Sequence, residues 1–424
     1  MASTRRDALR SIGGAGLLAL GGCATPPRAR ATRRLVVVGA GYGGATAARH
    51  AAILGGDRVD ITLVERNDAF VSCPLSNLVL GGRLAIDDVT AGYEKLAQRV
   101  RLVRDEAVAV DPQRRRVRLA DGDDLPYDRL ILSPGIDFFF DRIEGLETAS
   151  ARERLPHGWR AGPQTVALRR QVEAMRDGGV FAISIPRAPY RCPPAPYERA
   201  CQVAWYFQRA KPRSKVLVLD ANEDVQAQKA LFTSAWRDDY RGIVEYRADC
   251  VLTAVDASTR TARFEVADDV TADVLNVIPP HGAGNIARSA GAITANDQWC
   301  EVDFLTFESL TVPNVHVLGD AIQTAPLMAK AGQMANQHGK VCAAAVLALL
   351  DERPVDDAAV LTNSCYSFVN DREAGHIKSM HRYDSIRKTF VALPKAADVS
   401  ATKSDRDGAE AFAWWRTIRS DMLS

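Results

Sequence analysis

Eight cysteines stand in this chain of 424 residues, at positions 23, 73, 192, 201, 250, 300, 342 and 365. Cysteines can bind metal, close disulfides, or act as sulfur nucleophiles. Their spacing argues against metal, because no C-x-x-C pair occurs, nor a C-x-x-C-H haem attachment site. Setting aside Cys23, which falls in an N-terminal leader, leaves seven, so at least one is outside any internal disulfide. Two have distinctive surroundings. Cys192 lies in Pro189-Tyr190-Arg191-Cys192-Pro193-Pro194-Ala195-Pro196-Tyr197-Glu198, and Cys365 in Asn363-Ser364-Cys365-Tyr366. Glu198 follows Cys192 near the start of a helix expected over 197–209. There it can serve as a first-turn acid favoured by the helix dipole.

The elements that must position these side chains begin with Arg34-Leu35-Val36-Val37-Val38, a β-branched run that reads as a buried parallel strand. Gly39-Ala40-Gly41-Tyr42-Gly43-Gly44 follows, then an Ala-rich helix from Ala45 to about Leu54. Gly39, Gly41 and Gly44 fit G-x-G-x-x-G in its strand–turn–helix context, which places a pyrophosphate at a helix N-terminus. A second strand, Val59 to Val64, ends in Glu65, where a carboxylate binds ribose hydroxyls.

Two later segments point to FAD. Leu130-Ile131-Leu132-Ser133-Pro134-Gly135 resembles the strand-to-loop crossover of two-dinucleotide-domain reductases. Val315-His316-Val317-Leu318-Gly319-Asp320 resembles their second FAD motif, whose Asp binds the ribityl chain. Beyond it, Ala331-Gly332-Gln333 opens a long helix to about Leu350, whose positive end would face the flavin and favour an anionic reduced state. These signals in this order are those of the glutathione-reductase superfamily.

Between crossover and Gly-Asp motif such reductases carry a second glycine fingerprint. Here the strand Val180 to Ile185 runs instead into Pro186-Arg187-Ala188-Pro189 and the loop of Cys192. Proline fixes φ and puts a ring where a phosphate needs bare backbone. A later strand, Lys215 to Leu219, ends in Asp220, so the domain shape is expected without a nicotinamide site.

Lys+Arg 54 against Asp+Glu 52 leaves no charge argument for nucleic acid, and no basic run with interleaved aromatics is present. The N-terminus is a separate matter. Ser3-Thr4-Arg5-Arg6-Asp7-Ala8-Leu9-Arg10 resembles the twin-arginine export motif, and Leu20-Gly21-Gly22-Cys23 a lipobox with Cys23 as the lipidated residue. Cleavage after Ala29-Arg30-Ala31 is the alternative. Twin-arginine export carries folded proteins, which suits a flavoprotein that acquires its cofactor before leaving the cytoplasm. The expected location is the periplasm, soluble or lipid-anchored. Beyond the leader no apolar stretch reaches the roughly twenty residues of a spanning helix.

From about Arg33 to its end the chain resembles the flavoprotein subunit of flavocytochrome c sulfide dehydrogenase. The carrying pieces are Phe70-Val71-Ser72-Cys73-Pro74-Leu75-Ser76-Asn77, Tyr190-Arg191-Cys192-Pro193-Pro194, Pro196-Tyr197-Glu198-Arg199, Asn363-Ser364-Cys365-Tyr366-Ser367 and the pair Trp414-Trp415. The resemblance implies an 8α-thioether from Cys73 to FAD, although Pro74 replaces the family's usual aromatic residue. It implies a redox disulfide between Cys192 and Cys365 that accepts electrons from sulfide, with Glu198 as acid/base and Trp414 near the flavin. Which of the two cysteines faces the flavin is left open. It also implies a c-type, dihaem cytochrome subunit as partner, since this chain carries no haem site.

The expected architecture is α/β with two Rossmann-like dinucleotide-binding-type domains. An FAD domain (32–145 and 287–357) receives an NAD-domain-like insert (146–286) lacking the nucleotide loop. A C-terminal interface domain (358–424) follows the leader-bearing body (leader 1–31). Two other functions fit the same residues: a sulfide:quinone oxidoreductase, or a non-catalytic exported flavin-binding or redox-sensing subunit.

Overall fold

The structure, a computed structural model, describes residues 32–424. The twin-arginine motif, Cys23 and the cleavage site lie outside these residues. In chain order the framing elements are β1 (Arg33–Val38), α1 (Tyr42–Gly55), β2 (Val59–Val64), α2 (Ser76–Gly81), β3 (Arg101–Val103) and β4 (Arg129–Leu132). Then come β5 (Val180–Ile185), α3 (Ala195–Ala210), β6 (Lys215–Asp220), β7 (Val244–Arg247), β8 (Val274–Val277) and β9 (Val315–Val317). The last are α4 (Gly332–Leu350), β10 (Val360–Phe368), β11 (Ala374–Asp384), β12 (Thr389–Ala392), β13 (Asp398–Val399) and α5 (Asp405–Leu423).

Two parallel sheets carry the fold. The first has the order β9-β4-β1-β2-β3 and the second β7-β6-β5-β8. Leu35, Val36, Val37 and Val38 are all buried, as a parallel strand covered on both faces requires. Because β9 joins a sheet whose other strands precede β5, the second sheet is an excursion from the first. The fold is thus α/β with two Rossmann-like layers. A third, antiparallel sheet, β10-β11-β12 with β13 on β11, belongs to the C-terminal region.

Helix α1 starts at Tyr42, three residues ahead of the Ala45 read from composition, because the glycine motif itself forms its first turn. Helix α3 likewise begins at Ala195 rather than 197, with Pro196 in the first turn, where a missing N–H costs nothing. Helix α4 opens at Gly332 as expected and crosses α1 closely. A Cβ on Gly339 would lie 3.1 Å from the Ala47 nitrogen. Helix α5 is capped by Ser404, whose Oγ accepts the Asp407 N–H at 3.1 Å. Its Trp415, Ile418 and Met422 face inward and are buried, whereas Arg416, Thr417 and Arg419 are exposed. Among the described residues no helix is long and apolar enough to cross a membrane.

Candidate active site

Two cavities meet behind the C-terminal edge of the first sheet. The larger, about 300 Å³, is walled by the β1–α1 turn (Gly41, Tyr42, Gly43), Glu65 after β2, Cys73, Gly135, the Trp159–Gly162 segment, Arg191, Cys192, Asp320 and Gly332. The smaller, about 50 Å³, is lined by Cys73, Cys192, Glu198, Gly332, Gln333, Cys365, Tyr366 and Trp414, among others. Cys73, Pro74, Cys192, Ala195, Ala331 and Gly332 line both, so the cavities share a wall. Of the residues singled out in the sequence, Gly39, Gly44 and Pro134 line neither. They stand behind the wall. Gly39 holds φ +91 with no room beside the Ser133 carbonyl. A Cβ on Gly44 would run into the Gly39 carbonyl, and Pro134 packs against Gly284.

The larger cavity fits a dinucleotide by the groups it leaves unanswered. A Cβ on Gly41 would meet no protein atom within 4 Å, so its bare face is turned to the cavity and not to packing. Helices α1 and α4 both end here without a side-chain cap or an acid in the first turn, leaving their positive ends for an anion. Asp320 is half-buried, with Oδ1 buried and unpartnered, and desolvation pushes its carboxyl up against the opposing pull of Arg191 and Lys330. Glu65 is fixed by the Ala40 N–H on Oε2 (2.7 Å) and the Asn67 N–H on Oε1 (2.8 Å). Oε1 also accepts Asn67 Nδ2 at 2.5 Å, so Oε2 is the oxygen that keeps a lone pair for a hydroxyl. Cys73 Sγ accepts the Ala161 N–H at 3.4 Å at the junction of the two cavities.

Around the smaller cavity the chemistry is that of sulfur and one acid. The loop after β5 turns at Cys192, whose φ of +56 is uncommon for a side-chain-bearing residue. Two hydrogen bonds hold it there: Cys192 N–H to the Lys330 carbonyl and Ala195 N–H to the Cys192 carbonyl, both 3.0 Å. Cys365 arrives on β10. The seven cysteines from Cys73 to Cys365 all stand as thiols. Burial, reinforced by the Cys365 sulfur, raises the Cys192 thiol well above its ordinary value. Burial also pushes Cys365 to about 11, against a hydrogen bond to Asn363.

Glu198, on the first turn of α3, joins three elements. Oε1 accepts the Phe368 N–H of β10 at 2.8 Å, and Oε2 accepts Asn77 Nδ2 of α2 at 2.7 Å. Burial lifts its carboxyl to about 7 in spite of these donors. Arg199 donates Nε to Asn77 Oδ1 at 3.0 Å and completes the network. Trp414 donates Nε1 to Gln333 Oε1 at 2.8 Å and stacks on Tyr42 with centroids 6.2 Å apart.

The second sheet turns its nucleotide end inward. Asp220 Oδ2 accepts the hydroxyls of Tyr197 (2.7 Å) and Tyr246 (3.2 Å), and Oδ1 accepts the Asn222 N–H (3.0 Å). Its carboxylate is buried and saturated by the chain itself. Four further residues around the cavities were not picked out in the sequence: Tyr42, Asn77, Arg191 and Lys330. Asn77 and Arg191 lay inside the quoted motifs, but only the fold reveals that their side chains face the site. Lys330 carried no sequence signal.

Comparison with known proteins gives the family and the fold. The family model described as the central part of the sulfide dehydrogenase [flavocytochrome c] flavoprotein chain matches residues 165–279. The flavocytochrome c sulphide dehydrogenase flavin-binding model matches 357–423, and the pyridine nucleotide-disulphide oxidoreductase model matches 33–167. The mitochondrial sulfide:quinone oxidoreductase of Dictyostelium discoideum is 23% identical over 299 residues, 68% of this chain and just under two thirds (65%) of that protein. Among solved structures, the sulfide:quinone oxidoreductase of Aquifex aeolicus superposes with a TM-score of 0.72 at 16% identity, covering 92% of both chains, a likeness of fold. The flavoprotein chain of sulfide dehydrogenase [flavocytochrome c] from Chlorobaculum thiosulfatiphilum is 50% identical over 48 residues, 11% of this chain and 98% of that sequence. On these matches, the chain belongs to the family of flavocytochrome c sulfide dehydrogenase flavoprotein chains.

Proposed function

We propose that this protein oxidises sulfide through a Cys192–Cys365 disulfide and FAD, and delivers the electrons to a c-type cytochrome subunit. One observation carries the reading. Cys192 and Cys365, from distant parts of the chain, line one small cavity that shares a wall with a dinucleotide-shaped cavity. Gly41, Glu65, Asp320 and the starts of α1 and α4 would hold FAD, with Gly135 along the wall and Cys73 as the thioether tether. Bound there, FAD supplies a two-electron acceptor that can release its electrons singly.

The chain's own residues account for the sulfur chemistry. HS⁻ attacks one sulfur of the disulfide; the cysteine–cysteine bond breaks, a persulfide bond forms, and the electron pair moves to the other cysteine as a thiolate. Glu198, buried on the wall of the same small cavity, gives that thiolate a proton. A second HS⁻ takes the sulfane sulfur away as a disulfide anion, leaving two thiols. As the cysteine disulfide re-forms, two electrons leave and two protons are released, one of which restores Glu198. The reading places 32–145 and 287–357 in the FAD domain, 146–286 in the insert and 358–424 at the partner interface. It places the protein in the periplasm by twin-arginine export, with Cys23 as the lipid anchor if the lipobox is used.

Anaerobic titration with sulfide tests it. The flavin absorbance should bleach, and mass spectrometry should find flavin on the Cys73 peptide and a persulfide on Cys192 or Cys365. Absence of bleaching sinks the sulfide reading, and flavin found wholly in the supernatant after acid precipitation sinks the thioether. A second reading, sulfide:quinone oxidoreductase, draws on the quinone-linked relatives. Against it, the apolar side of α5 is spent on internal packing and offers no face to a membrane.

A further inference from the structure

A buried cation beside the site has no carboxylate partner. Lys330 is 6% exposed and precedes Gly332 by two residues. Its Nζ donates to the backbone oxygens of Asp320 (3.1 Å) and Ile322, and lies 3.6 Å from the centroid of the Trp299 ring. Its own carbonyl accepts the Cys192 N–H. One residue therefore ties the Asp320 turn to the Cys192 loop at the mouth of α4. Packing alone does not call for lysine here, since burying an ammonium costs several kcal/mol. Carbonyl oxygens and a ring face offset part of that cost without cancelling the charge. Among the described residues Lys330 forms no ion pair, and Asp320, whose backbone oxygen it holds, keeps Oδ1 unpartnered.

We propose that Lys330 is a positioning residue whose positive charge, held by backbone oxygens and not by an ion pair, stabilises the two-electron-reduced state of the cofactor site. The proposal rests on FAD occupying the larger cavity. Reduction adds negative charge to the cofactor site, and a fixed cation held on the Asp320 turn opposes that cost without reorganising. The Asp320 carboxylate favours the ammonium's charge, while the Cys300 thiol near it, raised to about 12 by burial, stays neutral. His281 and His338, both kept neutral by burial, also lie near it, and Arg191 acts on Asp320 from the other side. Burial lowers Lys330 to about 7, so the charge is present below that pH and fades above it.

The test is the midpoint potential of the flavin-loaded protein, measured by anaerobic titration at pH 6 and pH 8 in wild type, Lys330→Met and Lys330→Arg. Flavin content, read first from absorbance, separates the two questions: wild type without flavin overturns the reading of the cavity and this proposal with it. At pH 6, Lys330→Met should lower the potential by at least a tenfold change in the two-electron equilibrium, about 30 mV. Lys330→Arg, which keeps its charge at both pH values, should fall less steeply with pH than wild type. Equal potentials in wild type and Lys330→Met at pH 6 overturn the proposal. Should Lys330→Met not retain flavin, equal pH slopes in wild type and Lys330→Arg overturn it as well.

Discussion

Cys192 and Cys365 are both half-buried thiols with raised pKa values, so in the dithiol state both hold their protons at neutral pH. Such thiols make poor free nucleophiles, and the proposed turnover begins from the disulfide instead. Either Cys192→Ser or Cys365→Ser should therefore abolish flavin bleaching by sulfide, while flavin content and unfolding temperature stay near wild type. Bleaching that survives at more than a tenth of the wild-type rate contradicts the disulfide route. Glu198 adds a pH signature. Its carboxyl, raised by burial from 4.5 to about 7, holds a proton more tightly in the folded chain than in the unfolded one. That favours the native state at low pH, and the advantage is lost as pH rises from about 4.5 through about 7. At its largest it amounts to about 3 kcal/mol. Glu198→Gln should flatten this decline in urea unfolding and slow reduction by sulfide about 100-fold, a typical share for a general acid.

At the scale of elements, the glycines of the β1–α1 turn separate folding from binding. Gly44 touches the Gly39 carbonyl across the strand–helix junction, whereas Gly41 faces only the cavity. Gly44→Ala should cost about 2–4 kcal/mol in denaturant unfolding, because backbone must move to admit the methyl group. Gly41→Ala should leave the stability of the flavin-free protein within about 0.5 kcal/mol and still cut flavin content severely. If both variants lose stability equally, the cavity-facing assignment of Gly41 is wrong. The α3 helix shows the same division of labour. Its first turn carries Glu198 into the smaller cavity, and its Tyr197 occupies with its own hydroxyl the Asp220 carboxylate that an adenosine ribose would need.

At the scale of the molecule, the site is assembled from every part of the described chain. The first sheet gives Gly41, Glu65 and Asp320, the excursion gives Cys192 and Glu198, and the C-terminal region gives Cys365 and Trp414. Trp414, stacked on Tyr42, joins α5 to the wall of the larger cavity, so the C-terminal helix closes the site as well as flanking it. Electron delivery is a property of this whole surface. Sulfide-dependent reduction of a c-type cytochrome, with no reduction of a short-chain quinone, is the expected outcome. Quinone reduction at a comparable rate would favour the second reading.

Much of this was legible before any fold. The strand–glycine–helix run at 34–54, the Gly-Asp motif at 319–320 and the helix opening at Gly332 are local patterns, set by backbone permissiveness and burial within a few residues. The motifs around Cys73, Cys192 and Cys365 marked the family and the residues worth watching. Convergence was a different matter. That Cys192 and Cys365 line one cavity, that Glu198 binds Asn77 and Phe368, and that Lys330 is held on the Asp320 turn without an ion pair follow from parallel strands brought together by distant stretches of chain. Spacing along a chain reports local geometry, while burial and electrostatics depend on neighbours that only tertiary packing supplies. The sequence by itself thus determined the kind of protein and its candidate chemistry. The tertiary structure decided which side chains share a cavity, which glycines face it, and where charge is left unpaired.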